Sequence, residues 1–186
     1  MAYSCEALGP HNDGTYYRQS PGIQVFHCLS RASTGGETCL VDGQTLLNKL
    51  PRKSAEFLQN TPIPHICEDG SHTLRCETEP ILRTHPSNTQ TLLQIRYNPN
   101  DRATLRPEIA GDFYSHYLPL VRLANQRSNQ YWFPLRPGSV LFVNNWRVLH
   151  GRSAFQCQNG VLRRIAGCYL QIEDLMSKAR VLGMVK

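Results

Sequence analysis

Potential metal ligands stand near both ends of this chain, and they constrain its fold more than any other feature. His11 and Asp13 are two residues apart near the start. If the local chain is extended, positions i and i+2 point to the same side of a strand, so both side chains can grip one ion. The third ligand must then come from a distant segment. His150 is a candidate that we expect to lie in regular structure, because it follows an apolar, strand-forming run at 139–143.

The chemistry of this ligand set points to iron. Two imidazoles and one carboxylate can occupy one face of a ferrous ion and leave three adjacent positions open, as in the non-haem iron oxygenases. Arg163, shortly beyond His150, can then anchor the far carboxylate of a bidentate keto-acid cosubstrate. Composition alone gives roughly half of one His-x-acid triplet in a chain with seven His and 14 acidic residues. Taken singly, His150 reads more readily as a core histidine and Arg163 as a surface charge, but the ordered set favours a site.

Length, charge and cysteine content narrow the class of protein further. A chain of 186 residues with 40% apolar content can bury one core, so a single domain is expected. The net charge of +6 is scattered, which gives no support to a nucleic-acid surface. No apolar run approaches the length of a bilayer span, so no membrane insertion is expected. The seven cysteines are odd in number and include no Cys-x-x-Cys, which is typical of reduced, buried thiols in a cytosolic or matrix compartment.

Strand-forming runs dominate the chain, with helical patterns between them. Strands are predicted for 22–29, for a short run after the Gly-Gly turn within 34–43, and for 92–97, 139–143 and 163–170. Helices are predicted for 42–60, interrupted at Pro51, for 107–127, kinked at Pro119, and for 173–182. The segment 61–89 contains four prolines and is predicted to be an irregular connection over the mouth of the domain. This order predicts a mainly β fold with helical insertions, either a β-sandwich or a jelly roll.

The stretch 145–152, Asn-Trp-Arg-Val-Leu-His-Gly-Arg, is the most specific motif in the sequence. Together with several other stretches it resembles the 2-oxoglutarate-dependent iron dioxygenases of the taurine dioxygenase and γ-butyrobetaine hydroxylase superfamily. Those stretches are 22–29, 34–43, 95–98, 167–170 and 179–183. The likeness is greatest to the branch that acts on trimethyllysine and γ-butyrobetaine, and it runs through nearly all of the chain. It implies a double-stranded β-helix, which is a jelly roll.

The resemblance also implies a role for individual residues. The implied iron ligands are His11, Asp13 and His150. The residues implied to bind 2-oxoglutarate are Thr38, Arg152 and Arg163, with Arg164 as the alternative to Arg163 for the C5 carboxylate. The residues implied to bind the substrate are Tyr3 and Asn98. Tyr3 matches a wall of the aromatic cage for a quaternary ammonium, which is held best over π faces, and Asn98 matches a residue at the amino-acid end of the substrate.

By the same resemblance the chain hydroxylates N6,N6,N6-trimethyllysine at C3, the first step of carnitine biosynthesis. The implied cofactors are Fe(II) and 2-oxoglutarate, with O2 as cosubstrate and ascorbate as reductant. Two alternatives stay open: a hydroxylase of γ-butyrobetaine or another cationic amino acid, and a truncated, non-catalytic binding module on the same fold. Family members of this type are mitochondrial. Without that resemblance the chain reads as cytoplasmic, and a homodimer is compatible with either compartment.

Two departures from the family pattern bear on these implications. Position 144 is Asn, where the family usually has an acid before Asn-Trp-Arg. The likeness also begins only a few residues before His11, whereas family members carry an N-terminal domain and the early part of the catalytic domain ahead of this point. Residues 1–186 are therefore expected to form a partial catalytic domain, with a jelly roll that is incomplete at its N-terminus.

Overall fold

Antiparallel strands form the framework of the fold in the computed structural model, which describes residues 4–157 and 163–185. The strands are β1 (Leu8–His11), β2 (Ile23–Ser30), β3 (Thr34–Gly35), β4 (Thr38–Asp42), β5 (His65–Glu68), β6 (Thr73–Cys76), β7 (Leu82–His85), β8 (Asn88–Ile95), β9 (Gln130–Phe133), β10 (Val140–Asn144), β11 (Val148–Arg152), β12 (Phe155–Gln156) and β13 (Arg164–Leu170). The α-helices are α1 (Gly43–Lys49), α2 (Arg52–Asn60), α3 (Pro107–Asn125) and α4 (Ile172–Val181). The prediction of a mainly β fold with helical insertions is confirmed.

Two sheets carry the segments that were predicted to hold ligands. The first sheet has four strands in the order β1-β11-β4-β9, and the second has three in the order β10-β2-β13. Every pairing in both sheets is antiparallel. In the first sheet the register sets His11 directly opposite His150. The early and late parts of the chain therefore meet side by side.

Helices α1 to α3 supply much of the apolar core. The Asp42 side chain begins α1 by accepting a hydrogen bond from the Thr45 amide at 3.2 Å. Pro51 separates α1 from α2, as predicted, because it cannot donate a backbone hydrogen bond to a continuing helix. Helix α3 continues through Pro119. The most deeply buried residues of these helices pack together: Leu46, Leu47, Leu58, Phe113, Leu120 and Ala124.

The segment 61–89 is not irregular, and that prediction is wrong. It contains the hairpin β5–β6, the strand β7 and the start of β8. The prolines in this segment lie outside the strands: Pro62, Pro64, Pro80 and Pro86. Proline is tolerated at strand ends and turns because no ladder hydrogen bond is lost there. The proline content therefore predicted an irregular segment, although the prolines lie outside its short strands.

The cysteines are all unpaired with one another, in agreement with the prediction of free thiols. Their predicted burial holds for Cys28, Cys39 and Cys76, whereas Cys5, Cys157 and Cys168 are exposed. Among the described helices, none combines the length and the apolar character needed to cross a membrane.

Candidate metal centre

His11, Asp13 and His150 converge at one point of the structure. Their ligand atoms all lie within 4.8 Å of one another, and no other such group of three occurs in 4–157 and 163–185. The Nε2 atom of His11 is 3.4 Å from Oδ1 of Asp13, and Nε2 of His150 is 3.7 Å from Oδ2. Both histidines are buried and the aspartate is partly buried. The ordered ligand set predicted from the sequence is thus assembled around a single position.

Close packing of β1 against β11 brings the two imidazoles together. The ring centroids of His11 and His150 are 4.3 Å apart. Gly151 follows His150, and a Cβ atom at Gly151 would lie only 2.6 Å from the carbonyl oxygen of Leu8. Glycine at this position therefore lets the backbone of β1 approach close enough to pair.

Two asparagines connect the segment after β1, which carries Asp13, to the turn between β10 and β11. The Asn12 Nδ2 atom donates to the carbonyl oxygens of Asn145 at 2.7 Å and Val148 at 3.2 Å. In return, Asn145 Oδ1 accepts from the Asp13 amide at 3.1 Å, while Nδ2 donates to the carbonyl oxygens of Asp13 at 3.0 Å and Pro21 at 2.9 Å. Both asparagines are buried. Because the bonds run in both directions, this asparagine clamp (Asn12 and Asn145) fixes Asp13 relative to the strand of His150.

The carboxylate of Asp13 has two further partners that the sequence analysis missed. The Gln24 amide and the Tyr169 hydroxyl, the latter at 2.7 Å, both donate to Oδ2 of Asp13. Hydrogen bonds of this kind orient a metal ligand. For Gln24 a signal existed, since a buried glutamine interrupts the apolar run of β2. For Tyr169 the pattern of β13 carries no such signal.

The imidazoles are oriented to present Nε2 to a metal. The Nδ1 atom of His11 lies 2.9 Å from the carbonyl oxygen of Gly9 and must therefore be the protonated donor, which leaves the Nε2 lone pair free when the ring is neutral. The ring of His150 packs against Phe26, with centroids 5.3 Å apart. Its buried Nδ1 has no hydrogen-bond partner in the part of the chain that the structure describes. Two such nitrogens and one carboxylate on one side fit Fe(II) and leave its other side open.

The three ligands carry unequal proton affinities. Burial lowers the pKa of His11, but its hydrogen bond to Asp13 and the charge of that carboxylate outweigh burial, so the net pKa is raised. Burial lowers the pKa of His150 to about 3, and the nearby His11 contributes in the same direction. Burial raises the pKa of Asp13, but the bonds and charges of the two histidines and Tyr169 hold it well below its usual range. At neutral pH, Asp13 is thus ionised and His150 is neutral. Of the three residues, His11 retains its proton to the highest pH.

We expect metal affinity to rise with pH through the raised pKa of His11. A proton on Nε2 of His11 must leave before that nitrogen binds a metal, whereas His150 is already neutral. Below the pKa of His11, the affinity for Fe(II) should therefore fall by about tenfold for each pH unit. Anaerobic Fe(II) titrations between about pH 6 and about pH 8 test this. An affinity that does not change over this range would contradict it.

A cavity of about 440 Å³ opens beside the three ligands, a volume within the usual range for small-molecule sites. Thr38, Arg152 and Arg163 line the same cavity as His11, Asp13 and His150. Thr38 lies directly opposite Arg152 in the pairing of β4 with β11. The predicted metal and cosubstrate residues are therefore all brought to one space.

Two arginines give this cavity a cationic region. The guanidinium carbons of Arg152 and Arg163 lie 5.1 Å and 5.3 Å from the centre of the Phe155 ring. Burial lowers the pKa of Arg163, and the like charge of Arg152 lowers it further. No acidic side chain in 4–157 or 163–185 forms an ion pair with Arg163. The cavity thus offers one end to a metal and a cationic region to an anion.

The remaining predicted site residues lie elsewhere. Arg164, the alternative to Arg163, is exposed and does not line the cavity formed by the described residues. Asn98 is buried outside the cavity lining, and its Nδ2 donates to the carbonyl oxygen of Asn12 at 3.3 Å and to Asp101 at 2.9 Å. Tyr3 lies outside the described residues.

The amino-acid sequence of the chain is similar to those of known dioxygenases. The profile of the "Taurine catabolism dioxygenase TauD, TfdA family" matches residues 1–169. "Trimethyllysine dioxygenase, mitochondrial" of Bos taurus is 38% identical, over 98% of this chain and 44% of its own length. "Gamma-butyrobetaine dioxygenase" of Homo sapiens is 26% identical, over 98% of this chain and 49% of its own length. The chain therefore spans less than half the length of these relatives.

Solved structures share the fold. Asparagine oxygenase in complex with Fe(II), 2S,3S-3-hydroxyasparagine and succinate has a TM-score of 0.73 at 15% identity, and the match covers 90% of this chain and 51% of that one. The non-heme iron oxygenase OrfP in complex with Fe and alpha-ketoglutaric acid has a TM-score of 0.69 at 21% identity, over 95% of this chain and 53% of that one. At these identities the likeness concerns the fold, and the predicted jelly roll is confirmed.

Proposed function

Because the chain belongs to the family of taurine catabolism dioxygenases TauD and TfdA, we propose that it acts as an Fe(II)- and 2-oxoglutarate-dependent hydroxylase of trimethyllysine. The observation that carries this proposal is the convergence of His11, Asp13 and His150 at one end of a cavity with a cationic region. Identity favours trimethyllysine as substrate, since it is 38% to the bovine trimethyllysine enzyme and 26% to the human γ-butyrobetaine enzyme.

The metal would be held by Nε2 of His11, Nε2 of His150 and the carboxylate of Asp13. When bound, Fe(II) supplies the redox chemistry that couples oxidation of 2-oxoglutarate to succinate and CO2 with insertion of one oxygen atom from O2 into a carbon–hydrogen bond. The protein's part is to fix the ligands and exclude competing reactions. Gln24 and Tyr169 contribute by donating hydrogen bonds to Oδ2 of Asp13, which restrains its carboxylate.

The cosubstrate would extend from the metal ligands to the arginines. 2-Oxoglutarate carries two carboxylates, and a guanidinium binds a carboxylate through parallel charge-assisted hydrogen bonds. Stacking on Phe155 keeps the guanidinium groups of Arg152 and Arg163 in the cavity. Arg152 also donates to the carbonyl oxygens of Ser4 and Glu6, which leaves Arg163 as the principal partner for the distal carboxylate. A hydroxyl at Thr38 can donate to the same anion.

The substrate contacts of Tyr3 and Asn98 remain proposals from the family resemblance. A trimethylammonium group has no donor hydrogens and is held best over aromatic faces, which suits the role proposed for Tyr3. The Asn98 Nδ2 donates to Asn12 and Asp101, and its Oδ1 accepts from the Asn100 amide at 3.1 Å, so contact with a substrate would require Asn98 to share or exchange these bonds. Ascorbate as reductant, a homodimer and a mitochondrial location, which the bovine relative's name carries, belong to the same proposal.

The direct test of the proposed function is substrate-dependent turnover. Anaerobic addition of Fe(II) and 2-oxoglutarate should produce a weak visible charge-transfer band. In air, succinate release should then depend on trimethyllysine more strongly than on γ-butyrobetaine. A protein that binds Fe(II) and 2-oxoglutarate but releases no succinate in response to either substrate would instead be a non-catalytic binding module.

Replacement of Arg163 by Gln should weaken 2-oxoglutarate binding by about 10- to 100-fold, the range expected for losing hydrogen bonds to a charged group. Fe(II) affinity should stay unchanged, because Arg163 is not a metal ligand. Anaerobic titration of the charge-transfer band measures both. The matched control is Arg164→Gln, one residue further along and exposed, which should bind 2-oxoglutarate normally. If the control instead loses affinity, Arg164 is the anchor.

A further inference from the structure

Asp101 is a partly exposed carboxylate without a cationic partner. It lies in the turn after β8, and no Lys or Arg among the residues that the structure describes forms an ion pair with it. The neighbouring Arg102 donates instead to the carbonyl oxygen of Ala103 at 3.0 Å and to the Tyr114 hydroxyl at 3.0 Å. A charge that is removed from water without a counterion is costly. Asp101 is therefore a candidate to bind a cation from outside the chain.

Two donors hold one oxygen of this carboxylate and leave the other available. The Thr15 hydroxyl and the Asn98 Nδ2 each donate to Oδ2 of Asp101 at 2.9 Å, and both of these residues are buried. The main chain is held as well, since the carbonyl oxygen of Asp101 accepts from the Ile66 amide at 2.7 Å. Oδ1 has no hydrogen-bond partner within the described ranges. A fixed carboxylate with one free oxygen is suited to accept a hydrogen bond from an ammonium group.

Asp101 also lies close to the metal ligands. The Asn98 Nδ2 that bonds to it donates at 3.3 Å to the carbonyl oxygen of Asn12, the residue between His11 and Asp13. Burial raises the pKa of Asp101, the charge of Asp13 raises it further, and the charge of His11 opposes this rise. Both ligands are thus near enough to interact with it electrostatically. Asp101 does not line the cavity that holds the two arginines, so it marks a second approach to the metal.

Trimethyllysine carries two cationic groups that need different partners. Its trimethylammonium group, at the far end of the side chain, has no hydrogen to donate and is held best over aromatic faces. Its α-ammonium group has three donor hydrogens, which a carboxylate accepts. The α-ammonium group is attached to the carbon next to C3, so hydroxylation at C3 requires this group to lie close to the metal. A carboxylate near the metal ligands therefore matches the α-ammonium group.

We propose that Asp101 binds the α-ammonium group of an amino-acid substrate and thereby selects trimethyllysine over betaines that lack this group. The inference rests on the proposed function, because it concerns the substrate of the same metal centre. γ-Butyrobetaine has a trimethylammonium group and a carboxylate but no α-ammonium group. A complex with it would leave Asp101 covered and unpaired, which disfavours the betaine, whereas trimethyllysine supplies the missing counterion.

The binding of two matched ligands tests the proposal. The compound 6-(trimethylammonio)hexanoate is trimethyllysine without its α-ammonium group, and it keeps the same chain, carboxylate and trimethylammonium group. Isothermal titration calorimetry should show that the wild-type chain binds trimethyllysine about 10- to 100-fold more tightly than this analogue, the range expected for hydrogen bonds between charged groups. In Asp101→Asn, the affinity for trimethyllysine should fall to that for the analogue, and the affinity for the analogue should not fall.

Asp101→Asn is chosen because it preserves the turn. Its amide oxygen can take the place of Oδ2 and accept both bonds, from Thr15 and from Asn98, while the negative charge is lost. The matched control is Asp112→Asn, which makes the same change at an exposed position of α3. This control should keep the wild-type preference for trimethyllysine. The comparison of the two ligands on the wild-type chain needs no substitution at all.

Three outcomes would overturn the proposal. The wild-type chain could bind both ligands equally well, or Asp101→Asn could weaken both by the same factor, which would indicate a structural role. Asp112→Asn could also change the preference as much as Asp101→Asn, which would indicate an effect of net charge.

The proposed function fails by a different result. A chain that shows the preference dependent on Asp101 but releases no succinate would uphold this inference and overturn the proposed function. A chain that hydroxylates trimethyllysine and 6-(trimethylammonio)hexanoate with equal efficiency would do the reverse.

Discussion

Replacing His150 by Ala is expected to lower the affinity for Fe(II) by more than about 100-fold, since losing a residue that merely orients a ligand already costs about 10- to 100-fold. The remaining His11 and Asp13 would hold the ion at two positions only. Anaerobic titration measures the loss directly. Thermal unfolding gives a second measure: Fe(II) at about 100 times its dissociation constant adds about 2.7 kcal/mol to the wild-type protein, and this gain should vanish in the variant.

The matched control for His150→Ala is His27→Ala. His27 follows the cavity-lining Phe26 on β2, so its side chain points to the other face of the sheet. This variant removes a partly buried imidazole from the same framework and should bind Fe(II) normally. The assignment of His150 as a ligand fails if His150→Ala retains the wild-type affinity or if both variants lose it equally.

Asn145→Ala is expected to have the second largest effect, because it removes one half of the asparagine clamp. Three bonds disappear, which leaves the Asp13 amide and the carbonyl oxygens of Asp13 and Pro21 without these partners. Unsatisfied buried groups cost about 1 to 3 kcal/mol each, and two of these three bonds are only partly buried, so the free energy of unfolding should fall by about 2 to 5 kcal/mol. Fe(II) affinity should fall by about 10- to 100-fold, since Asp13 is no longer fixed. Urea unfolding and Fe(II) titration measure the two effects.

Two neighbouring substitutions separate hydrogen bonding from mere volume at this turn. Asn145→Asp keeps the shape and the acceptor but turns a donor into an oxygen that faces two carbonyl oxygens, so it should destabilise at least as much as Asn145→Ala. Asn144→Asp should change stability by no more than about 0.5 kcal/mol. Asn144 is exposed, and its Oδ1 accepts from the Trp146 amide at 3.1 Å, a bond that a carboxylate can also accept. A large effect of Asn144→Asp would contradict this account of the family's usual acid at position 144.

The convergence of His11, Asp13 and His150 could be predicted because two of them are close in sequence and the third follows a recognisable strand. The two-residue spacing of His11 and Asp13 needs only an extended chain, and His150 follows a recognisable strand. The structure brings all three together. The fold class could be predicted from the order of strand-forming and helix-forming patterns. Burial of one face of a strand or helix imposes the spacing of apolar residues that the sequence displays.

Contacts that depend on register could not be predicted. Gln24 and Tyr169 reach Asp13 only because β2 and β13 pair so that these two residues lie side by side. A shift of one residue would turn either side chain to the opposite face, and no local pattern fixes that choice. The short strands within 61–89 were not predicted, for a related reason. Four residues are too few to establish an alternation, and the prolines before β5 and after β7 favoured an irregular segment instead.

The pairing of His11 with His150 has a consequence for when the protein acquires iron. Strand β1 leaves the ribosome long before β11, and the two can pair only after the intervening chain has been synthesised and its ends brought together. Contacts this distant in sequence form late and slowly in folding. A nascent polypeptide holding only His11 and Asp13 offers two of the three ligands. A bound ion would therefore report that the chain has been synthesised at least through β11 and that β1 and β11 have paired.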